Sequence, residues 1–155
     1  MARALRAREL SCVELLDAHE ERFAARHEAV NAIVLPRFEA ARAEAAAADA
    51  ASARGDALGP LHGVPFTAKE VIDVAGMPAT NGSPFLADRI ATTDAEVVRR
   101  MRRAGAILIG KTNLSEFSAY WDSVNHVYGA TAIRTTRPAP LGVRRVAKPR
   151  RWPRR

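Results

Sequence analysis

The sequence predicts an α/β domain. Three observations carry that prediction. Two segments open with helix-start signals and continue with charged and apolar residues at helical spacing. Another segment is so rich in alanine, with Arg and Glu between, that propensity alone makes it a helix. Short apolar runs of strand length separate these segments, so helix and strand alternate along the chain. A length of 155 residues sets a prior of one domain, and 48% hydrophobic residues suffice for a core. No internal repeat is visible.

Taken in order, Ala2–Glu9 reads as the end of a helix. Ser11 with Glu14 three residues on forms a capping-box pattern, and Val13, Leu16, Glu20 and Phe23 carry a helical period to about Arg26. Ala32–Leu35 is a short apolar run closed by Pro36, expected as a strand or extended connector. Phe38–Arg54 is the alanine-rich helix, stopped by Gly55 and expected to be a solvated surface helix. Phe66–Val74 leans to strand, and Gly76–Pro84 is loop material. Thr93 and Glu96 form a second capping-box pattern for a helix to Arg103, with Gly105 as its C-terminal cap. Ala106–Ile109 is a buried type of strand, Gly110–Asn113 the loop after it, and Leu114–Tyr120 a short helix.

The net charge of +7 is unevenly placed. Of the 24 Lys and Arg, nine fall in Thr131–Arg155, where there is no Asp or Glu, so Met1–Ala130 holds 15 basic against 17 acidic residues, a net of −2. A mildly acidic body therefore precedes a basic tail. One cysteine, Cys12, excludes a disulfide framework and a cysteine-based zinc site, and the four histidines lack metal-binding spacing. No apolar run approaches a membrane span, and MARALRARELS has no signal-type hydrophobic region. A soluble, cytoplasmic protein is expected.

The chemistry gathers at Gly59–Ala75, GPLHGVPFTAKEVIDVA. A turn-forming stretch feeds an apolar run that carries one cation, Lys69. Alone, a strand lysine is most often an ordinary solvated side chain. A lysine buried among neighbours such as Val71 would instead have its pKa pushed down and could act as a base at neutral pH.

Three segments decide between these readings. GPLHGVPFTAKEVIDVAGM, DAEVVRRMRRAGAILIGKTNLSEF and NHVYGAT, in this order and spacing, resemble the amidase signature family over about Ala2–Thr131. The resemblance implies an α/β, mixed-sheet sandwich of which this chain is an N-terminal fragment with an incomplete sheet. It also implies amide hydrolysis through a serine–cis-serine–lysine triad, a small-molecule amide as substrate, and no cofactor. Members include general amidases, malonamidases, fatty-acid amide hydrolases and one component of the glutamyl-tRNA amidotransferase. By this resemblance Lys69 is the catalytic lysine, and Ser118, Ala119 and Tyr120 match a segment that lines the acyl pocket in some relatives. Many members carry Asp where Glu70 stands.

The family then has a GGSSGG-type loop with the bridging serine and, further on, a GGS-type segment with the nucleophile. Neither is present, and Ser123 is the last serine of the chain. From Ala132 the chain reads AIRTTRPAPLGVRRVAKPRRWPRR. Permitted codons for Ala132–Pro149 exist that, entered after the first two bases, translate as NPYDPARTPGGSSGGEA. With those codons the missing loop is read in a neighbouring frame, directly after YGAT and one arginine codon. Codon degeneracy leaves some freedom, but each residue fixes most of the bases. The expectation is a domain over 1–131 and a disordered Pro/Arg-rich tail over 132–155 that arose by a one-base frameshift.

Three functions follow from these residues. The first is an amidase by descent, catalytically incomplete as written. The second is a fragment binding anionic partners, nucleic acid or membrane surface, through nine positive charges. The third is a partner-dependent structural fragment with open sheet edges. The first is preferred. No specific nucleic-acid or membrane partner is expected, and the oligomeric state stays open.

Overall fold

The computed structural model describes residues 1–132. The tail expected to be disordered and of frameshift origin lies outside the described residues, except Ala132, whose N–H donates to Val30 O at 2.9 Å.

Helix α1 (Ala2–Arg6) is one short turn that buries Leu5. Helix α2 (Cys12–Val30) begins with the expected capping box: the Ser11 hydroxyl accepts from Glu14 N, and the Glu14 carboxylate accepts from Ser11 N at 2.8 Å. Asp49 adds a second cap from outside, its carboxylate accepting from Cys12 N at 2.7 Å and Val13 N at 3.1 Å. After Asn31 in the left-handed conformation come β1 (Ile33–Pro36) and helix α3 (Phe38–Arg54), which ends on left-handed Gly55 as expected.

Helix α3 is not solvated all round. Phe38, Ala41 and Ala45 share one face and are buried against Leu15 and Leu16 of α2 and against Ile107 and Ile109. Alanine here is a packing residue, because its small side chain lets two helices and a sheet approach closely.

Strand β2 (Pro65–Lys69) ends at Lys69, five residues short of Val74, where the apolar run was expected to end. The stretch after it is tethered rather than free: Gly76 N donates to Ala91 O, Ala91 N to Met77 O and Ala79 N to Arg89 O, each within 3.0 Å. Helix α4 (Glu96–Arg103) starts from Ala95 without a side-chain cap. The expected Thr93–Glu96 box does not form. Asp94 is drawn instead to Ala75 N at 2.8 Å and to Arg102 at 3.0 Å, while Glu96 turns to Arg99 and Arg100. Gly105 does terminate α4. Its N–H reaches Arg102 O, the next N–H reaches Met101 O, and its φ of +89° suits glycine.

Strand β3 (Ile107–Thr112) runs three residues further than expected, through the Gly110–Thr112 stretch read as loop. It is the centre of a three-stranded sheet in the order β1-β3-β2, antiparallel to β1 and parallel to β2. Both pairings slip in register, with β1 between Ile33 and Leu35, opposite Thr112 and Lys111, and with β2 between Phe66 and Thr67, where Gly110 takes up the pairing. A Cβ there would come within 2.7 Å of Leu35 O, so this glycine permits close strand approach instead of breaking the strand. Ile107 and Ile109 pack on α2 and α3, whereas Leu108 packs with Ala68, Val74 and Val98 on the α4 side. The body is thus three layers, helices on either face of the sheet. A two-residue hairpin, β4 (Val124–Asn125) with β5 (Gly129–Ala130), closes the described chain.

Candidate active site

The carboxyl ends of the two parallel strands meet at one edge of the body. Lys69 is the last residue of β2 and pairs with Thr112 of β3. Glu70 N donates to Thr112 O at 2.9 Å and Ile72 N to Lys69 O at 2.8 Å, which turns the chain immediately after the lysine. Successive strand residues face opposite ways. Ala68 and Glu70 are buried, while Thr67 and Lys69 are exposed on the other face. Among the described residues the Lys69 ammonium makes no hydrogen bond or ion pair. Nor do they bury it: Val71, read as a burying neighbour, is itself 39% exposed.

The buried lysine is Lys111. It has no exposed surface, and its ammonium donates to Pro78 O at 2.5 Å. Burial pushes its pKa down from the usual lysine value, with nearby Glu70 and Asp73 opposing that and Arg89 adding to it. Glu70 is equally buried, and its Oε1 accepts from Thr80 N at 2.6 Å and from the Tyr128 hydroxyl at 3.0 Å. Burial drives the Tyr128 phenol well above its ordinary pKa, and the Glu70 carboxylate pushes the same way. Arg89 steadies the intervening loop by a two-pronged pair with Asp73 and a bond to Ala79 O, and it holds the Asp73 carboxyl below the usual range.

Ser118, Ala119 and Tyr120 stand on the loop that leaves β3, all exposed. Instead of the expected helix over Leu114–Tyr120 there is one tight turn, Glu116–Ser118, with Phe117 and Ser118 at φ of 48° and 58°. The conformation is over-determined. The Ser115 hydroxyl donates to Tyr120 O and accepts from Tyr120 N, both at 3.0 Å, and Phe117 N donates to Asn81 O at 2.8 Å. Lys69 and this loop therefore share the strand-end edge, although among the described residues no hydrogen bond joins them. Sequence reading missed the buried set of Glu70, Lys111, Asn113, Asn125 and Tyr128. Its available signal was polar residues inside the apolar runs PFTAKEVI and ILIGKTNL.

Comparison with known proteins now decides the family. Residues 14–134 match the Amidase family. The chain belongs to the amidase signature family. It is 45% identical over 130 residues to the indoleacetamide hydrolase of Bradyrhizobium diazoefficiens, covering 84% of this chain and 25% of that protein. It is 42% identical over 131 residues to the acylamidase of Rhodococcus erythropolis, covering 84% of this chain and 28% of that one. The solved peptide amidase of Stenotrophomonas maltophilia superposes with a TM-score of 0.72 at 35% identity, over 83% of this chain and 28% of that structure. The chain thus spans about a quarter of the length of these amidase relatives, and its α/β body is consistent with their N-terminal part. No helix among the described residues is long and apolar enough to cross a membrane.

Proposed function

We propose that the body over 1–131 is the N-terminal part of an amide-hydrolysing domain and that Lys69 is its proton carrier. The observation that carries this reading is the placement of Lys69. It ends a strand, faces away from the core, and has an ammonium left free among the described residues while its neighbours Ala68 and Glu70 are locked in. In the proposed reaction a neutral Lys69 takes a proton, through a bridging serine, from the serine hydroxyl that attacks the amide carbonyl. It later returns the proton to the departing amine. Ser118, Ala119 and Tyr120 are proposed to border the acyl side of the substrate, a small amide. The names of the indoleacetamide hydrolase and the peptide amidase support that substrate class.

As written, the chain matches neither catalytic serine and is proposed to be inactive. In an unrelated serine-hydrolase triad, loss of the nucleophile costs about a millionfold in rate. A frameshift at Ala132 would account for the absence, because a permitted codon choice reads GGSSGG in the shifted frame. Resequencing the locus tests it. The shifted frame is expected to continue into a GGS-containing amidase segment, and a frame that closes early or reads into unrelated sequence overturns it.

A further inference from the structure

A hydrogen-bond chain, buried at Glu70, Tyr128, Asn125 and Asn113 and half-buried at Thr131, joins the strand end at Lys69 to the segment that leaves the body at Thr131. Glu70 Oε1 accepts from the Tyr128 hydroxyl. Tyr128 N donates to Asn125 Oδ1 at 2.7 Å, and Asn125 Nδ2 donates to Asn113 Oδ1 at 2.8 Å. Asn113 Nδ2 donates to Gly129 O at 3.1 Å and to Thr131 Oγ1 at 3.0 Å, and that hydroxyl donates to Asn31 O at 2.8 Å. Both asparagines are well satisfied. Asn125 also donates to Leu114 O and accepts from Val127 N, while Asn113 accepts from Leu114 N. The 80–83 turn is pressed into the same chain: Thr80 N donates to Glu70, and a Cβ at Gly82 would come within 3.1 Å of the Asn125 side chain.

Apolar side chains could fill this volume, but they would not set one register. Amide and carboxylate groups bond along fixed directions, and a buried group left unpaired is costly, so a set in which every member is bonded, with only Glu70 Oε2 left without a partner among the described residues, favours one arrangement of its strands. One end of the chain of bonds is the residue next to Lys69, and alternation along β2 makes the seating of Glu70 dictate the direction of Lys69. The other end is the residue pair from which the chain runs on past Ala132.

We propose that Glu70, Tyr128, Asn125 and Asn113 are positioning residues that hold the Lys69 strand end in one placement against the Thr131 exit. "Positioning" rests on the reading of Lys69 as the proton carrier; the rigid link itself does not.

Pulsed electron–electron distance measurement tests it on the chain as it exists. In a Cys12→Ser background, nitroxides at Thr67→Cys and Ala132→Cys, both exposed positions, report the link, and labels at Arg22→Cys and Ala40→Cys report the α2–α3 packing. Both pairs are expected to give one narrow distance. Glu70→Gln and, separately, Asn125→Leu are expected at least to double the width for the first pair and leave the second unchanged. Glu70→Gln is also expected to move the Tyr128 phenolate transition to lower pH, because the carboxylate that opposes ionisation is gone. An unchanged width for both variants overturns the proposal, and so does equal broadening of both pairs, which would mean general loosening. The distance widths report the link alone, whereas the reading of Lys69 as proton carrier is tested by loss of amide turnover in Lys69→Ala, so the two fail separately.

Discussion

Replacing Tyr128 with phenylalanine removes one oxygen from the body and little else. The ring keeps its packing against Leu35 and Leu114. Two bonds are lost: the hydroxyl's donation to the Glu70 carboxylate at 3.0 Å, and the Thr80 hydroxyl's donation to it at 3.3 Å. A hydrogen bond to a charged group contributes about 1.5–3 kcal/mol, and a long neutral one contributes at the low end of about 0.5–1.5 kcal/mol. Nothing else among the described residues except Thr80 N donates to Glu70, so the carboxylate, fully buried from bulk solvent, is left short of donors. The expected loss is therefore about 2–3 kcal/mol, a drop in Tm of roughly 6–9 °C for a chain of this size. Urea unfolding followed by far-ultraviolet circular dichroism reads it directly, with an unchanged m-value. A double-mutant cycle with Glu70→Gln isolates the pair and should return a clear coupling energy. A loss below about 0.5 kcal/mol, the range of an ordinary surface change, would refute the reasoning, because it would mean the carboxylate is solvated or the phenol points elsewhere.

Ser11→Ala should cost about 1 kcal/mol in the same unfolding experiment, since it removes half of the capping box. Glu14, whose carboxyl the Ser11 N–H and hydroxyl hold below its usual pKa, stabilises the fold above its unfolded-state pKa, and that contribution is lost as pH falls through the folded value. The acid limb of the stability curve should therefore flatten in Ser11→Ala. Cys12 has its thiol pushed up to about 12, by burial first and by the Asp49 carboxylate second. At pH 8 an aromatic disulfide reagent should modify it at the rate at which the body opens, accelerating with urea; a fast reaction in native buffer would contradict its burial.

The parts of the fold legible in the sequence are those set by local signals. The Ser11–Glu14 box and the Phe38–Arg54 helix with its Gly55 stop need only their own neighbours to form. The Thr93–Glu96 box has the same letters and fails, because Asp94 is held by Ala75 N and Arg102, groups outside its own turn. Gly110 misled for a related reason. It reads as a strand stop, but its function is to let β1 lie close against β3, and that partner lies far upstream. The candidate site divides the same way. Lys69 is proposed through the family's motif, whereas the burial expected for it rests on an apolar run that ends in an exposed turn. The buried lysine, Lys111, sat in what read as a loop until the sheet enclosed it.

The central claim is that Lys69 carries the proton in amide hydrolysis and has lost its serines. The measurement is amide turnover by three proteins: the chain as written, the product of the gene with one base inserted before the Ala132 codon to enter the proposed frame, and that product carrying Lys69→Ala. No turnover is expected from the first, hydrolysis of a small amide such as indole-3-acetamide from the second, and loss of that hydrolysis in the third with the fold intact by circular dichroism. Turnover by the chain as written, or a restored enzyme that works equally well without Lys69, would contradict the claim.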